Sequence, residues 1–183
     1  MPVSRNEPQQ TEGYLHGKCI LIISAEPWKG LQMSKHHLAE ALAARANRIL
    51  WLDAPKDGFG PTVLSTDGMV ERVSYHHWLR GVNRLPVFVQ KWYSRRLLHS
   101  IETCTGESVS IIWRFDPSRV GHLPRAGRRF IFHPVDLHAL EAGSGAVREA
   151  DLVLTVSRDI LDRVEGMTPE ATAMNIGHGL DPR

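Results

Sequence analysis

A chain of 183 residues, 42% hydrophobic and 23% charged, has the size and composition of one compact globular domain. A formal net charge of +2 is too small to argue for nucleic acid as a partner. No apolar run approaches the roughly 18 residues of a membrane span, and Cys19 and Cys104 make no disulfide framework, so a cytoplasmic protein is expected. The ten histidines are scattered without metal-ligand spacing, and no metal site is expected.

Residues 1–17 are polar, carry Pro2 and Pro8, lack the apolar stretch of a secretory leader and are expected to be a flexible lead-in to a domain over 18–183. Cys19-Ile-Leu-Ile-Ile-Ser24 is a continuous β-branched run, as in a strand buried on both faces. A loop with Pro27 and Gly30 follows. Ser34 is an N-cap candidate for a helix to about Ala46, its apolar face set by Leu38, Ala41 and Leu42, with Asn47 at its left-handed end. Ile49-Leu-Trp-Leu-Asp53 is the second strand and completes a βαβ unit.

Between Ala54 and Pro86 the signals are those of a loop, apart from a short strand over Val70–Ser74 suited to a sheet edge. Pro86 favours a helix start, so a helix is expected from Val87 to about Ile101. Strands follow at Val109–Trp113, Phe130–His133 and Leu152–Val156, then a helix from about Arg158 to Val164 capped by Ser157, and a last short strand within Ala171–Asn175. Strand and helix alternate, which predicts an α/β fold: a Rossmann-like parallel sheet with helices on both faces. Ligands of such sheets gather at the carboxyl ends of the strands.

Three loops and one helix face stand out on that rule. Ala25–Met33 precedes a helix N-terminus, whose partial positive charge suits an anion; Lys29, Gly30 and Gln32 are its candidate contacts, against a plain βα turn with no ligand. It contains neither a Walker loop nor a dinucleotide fingerprint. After the Phe130 strand come His133, Asp136 and His138. A carboxylate there can take a proton from a sugar hydroxyl, or simply cap the next helix, and His133 can equally be a satisfied core histidine. Gly177-His178-Gly179 predicts a tight turn. The stretch from Trp78 to Arg96 holds Trp78, Arg80, Arg84, Lys91, Trp92, Arg95 and Arg96 without an acidic residue. That composition suits a membrane interface, an ordinary solvated helix face, or RNA.

Taken in order, three pieces resemble the N-terminal domain of GT-B glycosyltransferases: the opening βαβ unit from Ile20 to Asp53, the segment Ala150-Asp-Leu-Val-Leu-Thr-Val-Ser157, and Gly177-His-Gly-Leu-Asp181. Phe130-Ile-Phe-His-Pro-Val-Asp136 looks most like the bacterial glucuronosyltransferase type. The resemblance implies transfer from a nucleotide-sugar donor to a glycan or lipid-linked acceptor, with Asp136 as the base of an inverting reaction. It implies acceptor contacts at Lys29, Gly30, Gln32, His133 and His138, and an interdomain role for Gly177, His178 and Gly179. A lipid-linked acceptor turns the Trp78–Arg96 face toward the cytoplasmic surface of a membrane. The donor belongs to a C-terminal half with an acidic motif that these residues do not include, so this stretch alone is expected to be inactive and to need no cofactor of its own. The alternative is a non-catalytic Rossmann-like domain that docks to membrane or partner through the basic aromatic helix.

Overall fold

The computed structural model describes residues 15–77, 81–120 and 122–177. Its elements, in order, are β1 (Cys19–Ile23), α1 (Ser34–Ala43), β2 (Arg48–Leu52), β3 (Lys56–Asp57), β4 (Val63–Asp67), β5 (Val70–Ser74), β6 (His76–His77), a single 3₁₀ turn (Val82–Arg84), α2 (Val87–Thr105), β7 (Ile111–Arg114), β8 (Arg129–Phe132), α3 (Leu137–Ala142), α4 (Ser144–Glu149), β9 (Leu152–Thr155), α5 (Arg158–Met167) and β10 (Ala173–Asn175). Eight strands form one sheet in the order β10-β9-β8-β7-β1-β2-β5-β4, while β3 and β6 pair separately. Every neighbouring pair is parallel except β4 with β5. The expected α/β architecture is therefore present, and its strand order reverses between β1 and β7, the place where an open α/β sheet offers a crevice.

The core explains the apolar runs. All five residues of β1 are buried, because both faces of the sheet are covered. Leu21, Ile23, Leu50 and Leu52 face the side packed by Tyr93, Leu98 and Ile101 of α2. Ile20, Ile22, Ile49 and Trp51 face the side packed by Ala39 and Leu42 of α1. Toward β9, Phe132 and Val153 pack with Leu140, Val147, Ile160 and Val164 of α3, α4 and α5. The helices are unequally divided: α1 alone lies on one face of the described structure.

Four local readings change. Met33, not Ser34, is the N-cap of α1; the His36 ring supports it by accepting the Met33 N–H at Nδ1, 3.0 Å away. The buried face of α1 includes Lys35, His36, Ala39 and Leu42, whereas Ala41 is exposed. The left-handed residue after α1 is Ala46 (φ 59°), and Asn47 works instead through its side chain. Its amide donates to the Leu42 and Leu15 carbonyls at 2.8 and 2.7 Å, and its oxygen accepts the Lys18 N–H at 3.0 Å. Finally, β5 is interior to the sheet. The edge is β4, joined to it through Gly68 and Met69, with Gly68 at φ 64° as a two-residue hairpin turn requires.

Candidate functional site

The carboxyl ends of β1, β7, β8, β9 and β10 meet α1 in a shared crest. The β1–α1 loop is tied down from below. The Trp28 N–H donates to Asp53 at 3.1 Å, the Trp51 ring N–H donates to the Glu26 carbonyl at 3.2 Å, and Arg119 donates to the Ala25 carbonyl. Asp53 also holds Arg72 at 2.6 Å. His36 stacks on Trp51 and Trp28 packs edge-on and tilted against the pair, with centroids 4.7 to 5.2 Å apart, which fixes the direction in which α1 leaves the sheet.

Within the crest, the Ser24 hydroxyl donates to Glu26 at 2.6 Å and Lys35 forms an ion pair with the same carboxylate. Despite partial burial, these bonds keep the Glu26 carboxyl below its ordinary range. The Lys35 ammonium, on a side chain only 5% exposed, lies 5.5 Å from the Phe115 ring centroid. His133 is buried beside it, its ring 4.7 Å from Phe115, and the Trp113 ring N–H donates to its Nδ1 at 3.4 Å. Burial first, and the Lys35 charge second, push the His133 pKa down to about 4. A cavity of about 100 Å³ opens here, bounded by Leu38, Phe115, Val135, Val156 and Ile176, with Ser34, Lys35 and His133 as its polar side chains.

The structure distributes the sequence candidates over several places. Lys29, Gly30 and Gln32 are exposed and line a separate depression of about 410 Å³ with Glu40 and Asp67. His133 belongs to the crest cavity. Asp136 is exposed and caps α3, its Oδ1 accepting the Ala139 N–H at 2.6 Å; the capping alternative is thus observed, and Oδ2 has no partner among the described residues. His138 is exposed on the first turn of α3. Gly177 stands at the rim of the crest cavity with φ 66°, and its N–H donates to Asn175 at 2.9 Å. His178, Gly179, Trp78 and Arg80 lie outside the described residues. On α2, Lys91, Trp92, Arg95 and Arg96 are exposed, and the Arg96 guanidinium sits 5.9 Å from the Trp92 ring centroid. Arg84 is exposed just before that helix.

Sequence reading passed over Lys35, Glu26 and Phe115. Lys35 carried no signal, because a lysine in the first turn of a helix ordinarily faces solvent. Asp151, in the Ala150–Ser157 segment, serves the fold. It accepts the Phe130 N–H and an Arg125 N–H, each at 2.8 Å, and so locks the start of β8. Among the described residues, no helix is long and apolar enough to cross a membrane, and no group of three ligating side chains is placed to hold a metal ion.

No family model and no curated protein matches the chain. Among solved structures, it is similar to sucrose-phosphate synthase from Thermosynechococcus elongatus, with a TM-score of 0.58 at 12% identity. The match covers 87% of this chain and 48% of that one, so the chain spans about half the length of its neighbour. At this identity the likeness shows the fold alone, a Rossmann-like α/β domain.

Proposed function

We propose that the chain is the acceptor-side half of a glycosyltransferase that moves a sugar from a nucleotide-sugar donor, held by a second half, to a glycan or lipid-linked acceptor. One observation carries the reading: on a glycosyltransferase-like fold, an exposed carboxylate, Asp136, stands at the carboxyl end of β8 with one oxygen engaged and the other open. In the proposed step Asp136 takes the proton of the acceptor hydroxyl as its oxygen attacks the anomeric carbon. The bond to the nucleotide breaks on the opposite face, and the configuration inverts. Lys29, Gly30, Gln32 and His138 contact the acceptor, Gly177 and its neighbours His178 and Gly179 face the second half, and the glucuronosyl type is the donor class that the Phe130–Asp136 segment favours.

The substitution Asp136→Asn separates capping from proton abstraction. Asparagine caps a helix about as well as aspartate but is no base. In the full polypeptide, assayed for sugar transfer from nucleotide-sugar donors to lipid-linked acceptors, we expect a fall in kcat of roughly 10²–10⁴-fold with an unchanged Tm. Asp136→Ala also loses the cap, about 1 kcal/mol of stability. Near wild-type transfer by Asp136→Asn would remove Asp136 from the mechanism.

A second reading draws on the surface of α2. Val87, Phe88 and Trp92 are 48%, 73% and 49% exposed beside Lys91, Arg95 and Arg96, a face that suits docking to an anionic membrane whether or not this half takes part in catalysis.

A further inference from the structure

Arg114 ends β7, beside the place where the strand order reverses, and it is only 5% exposed. Its Nη2 anchors the following loop by donating to the Pro117 and Val120 carbonyls at 3.0 and 2.8 Å. Its Nη1 makes no hydrogen bond among the described residues, and unlike Nε it is not sealed inside the protein. The carboxylate oxygen facing it, Glu149 Oε2, stands 3.9 Å away, a loose ion pair beyond hydrogen-bond reach. Glu149 is held instead by His122, whose Nδ1 lies 2.6 Å from Oε1. A carboxylate only accepts, so Nδ1 carries the hydrogen and Nε2 of the neutral ring is left as an acceptor. Arg114, Glu149 and His122 line one cavity of about 320 Å³, walled beside them by Pro117, Ala142 and Gly143. That volume falls within the roughly 300–1,000 Å³ of small-ligand sites.

The gap between Arg114 and Glu149 selects a ligand. Nη1 can only donate and Oε2 can only accept, and both bonds would be charge-assisted. A hydroxyl serves both through one oxygen, about 2.8 Å from each, accepting from Arg114 and giving its hydrogen to Glu149. An anion would gain from Arg114 and be opposed by Glu149; a cation would meet the reverse. A second hydroxyl on the neighbouring carbon can give its hydrogen to His122. The small walls at Ala142 and Gly143 leave room for the flat C–H face of a ring. We infer that this cavity takes one sugar unit through a pair of adjacent hydroxyls, held between Arg114 and Glu149. Gly143 follows the last residue of α3, six residues and about 9 Å along the helix from the Asp136 cap, so this is a different unit from the one that meets Asp136. The inference rests on the glycosyltransferase reading only in choosing a sugar among polyols.

Binding without turnover tests it. The full polypeptide is titrated in separate samples with the methyl glycosides of glucose, galactose and mannose, with cyclohexanol, and with inorganic phosphate. Saturation transfer reports contact with the ligand protons, and the Arg114 side-chain resonances report the site. The expected result is that at least one glycoside moves those resonances and binds at least about tenfold tighter than cyclohexanol, a difference of about 1.4 kcal/mol. Glu149→Gln removes the acceptor and should weaken that glycoside at least about tenfold. Gly145→Leu tests the room itself: Gly145 lines the cavity, and a Cβ there meets no atom within 4 Å, so the added side chain can fill the space without disturbing the fold. It should weaken the glycoside to the same extent. The inference is overturned if no glycoside moves the Arg114 resonances, if a glycoside binds Gly145→Leu as tightly as the parent protein, or if phosphate alone moves them, which would make this an anion site. Asp136→Asn should bind the glycoside unchanged. Because no transfer is measured, a loss of the Asp136 mechanism leaves this result readable, and the reverse holds too.

Discussion

His133 and Asp136 are three residues apart in the chain, and the structure gives them opposite environments. His133 is buried at the end of β8 against Trp113 and Phe115, so burial favours its neutral ring, whose Nδ1 accepts the Trp113 N–H. Asp136 is exposed and caps α3. The depressed pKa of His133 has a measurable consequence. Unfolded, the ring titrates near its ordinary value of 6.5; folded, near about 4. Between those values the unfolded chain binds more protons, so stability falls as pH drops from 6.5 and the loss is complete below about pH 4, amounting to roughly 3 kcal/mol. Denaturant melts at pH 7 and pH 4 should show that His133→Gln is spared this part of the acid loss. An identical pH dependence in both proteins would show that the ring is not held neutral. From sequence, the histidine could be placed after a strand, but its burial depends on Trp113, 20 residues away, and Lys35 on another element, which no local pattern reveals. Asp136 and Ser157 were legible as caps because their signal is local: Ser157 accepts the Ile160 N–H at 3.3 Å, as its position before a helix implies.

At the scale of elements, the parallel strands were readable from apolar runs and the hairpin β4–β5 was not. Its outer strand is mostly exposed, so it has no apolar run, and Gly68, the first residue of the Gly68-Met69 turn, was the available sign. Helix α2 was found but runs to Thr105, four residues past the expected end, until Gly106 at φ 71° stops it. Its basic aromatic face yields a prediction for this element alone. The protein should float with vesicles containing phosphatidylserine and sink with neutral phosphatidylcholine vesicles. Arg95→Glu together with Arg96→Glu should abolish flotation, since each cation near an anionic surface contributes about 1 kcal/mol and a reversed charge repels. Raised salt should weaken it in the same direction, and Asp136→Asn should leave it unchanged. Flotation that survives the double charge reversal would show that the basic face of α2 is not what holds the protein to an anionic membrane.

For the whole molecule, the strand order is what converts scattered loops into one crest. The sequence implied a parallel sheet. The order itself depends on which strands pair across long separations, such as Ile20 with Ile111, and that is fixed by tertiary packing rather than by any local signal. The same order predicts a gradient of stability. β1 is flanked by β2 and β7 and wholly buried, so its amides can exchange only when the domain opens globally. β4 and β10 are edges, and β10 is three residues long, with Met174 49% exposed. Hydrogen exchange should therefore find the amides of β1, β2 and β7 slowest and those of β4 and β10 at least about tenfold faster, a difference of about 1.4 kcal/mol. The ends of β8 and β9, which carry the crest, should fall between. That ordering matters for function. A site at the carboxyl ends of strands stays in register only while the central strands hold, whereas the β10 end, at Ile176 and Gly177, follows a short edge strand and should open first. If β10 proved as protected as β1, the rim of the cavity at Ile176 and Gly177 would be part of the rigid core, and strand order would not set the gradient.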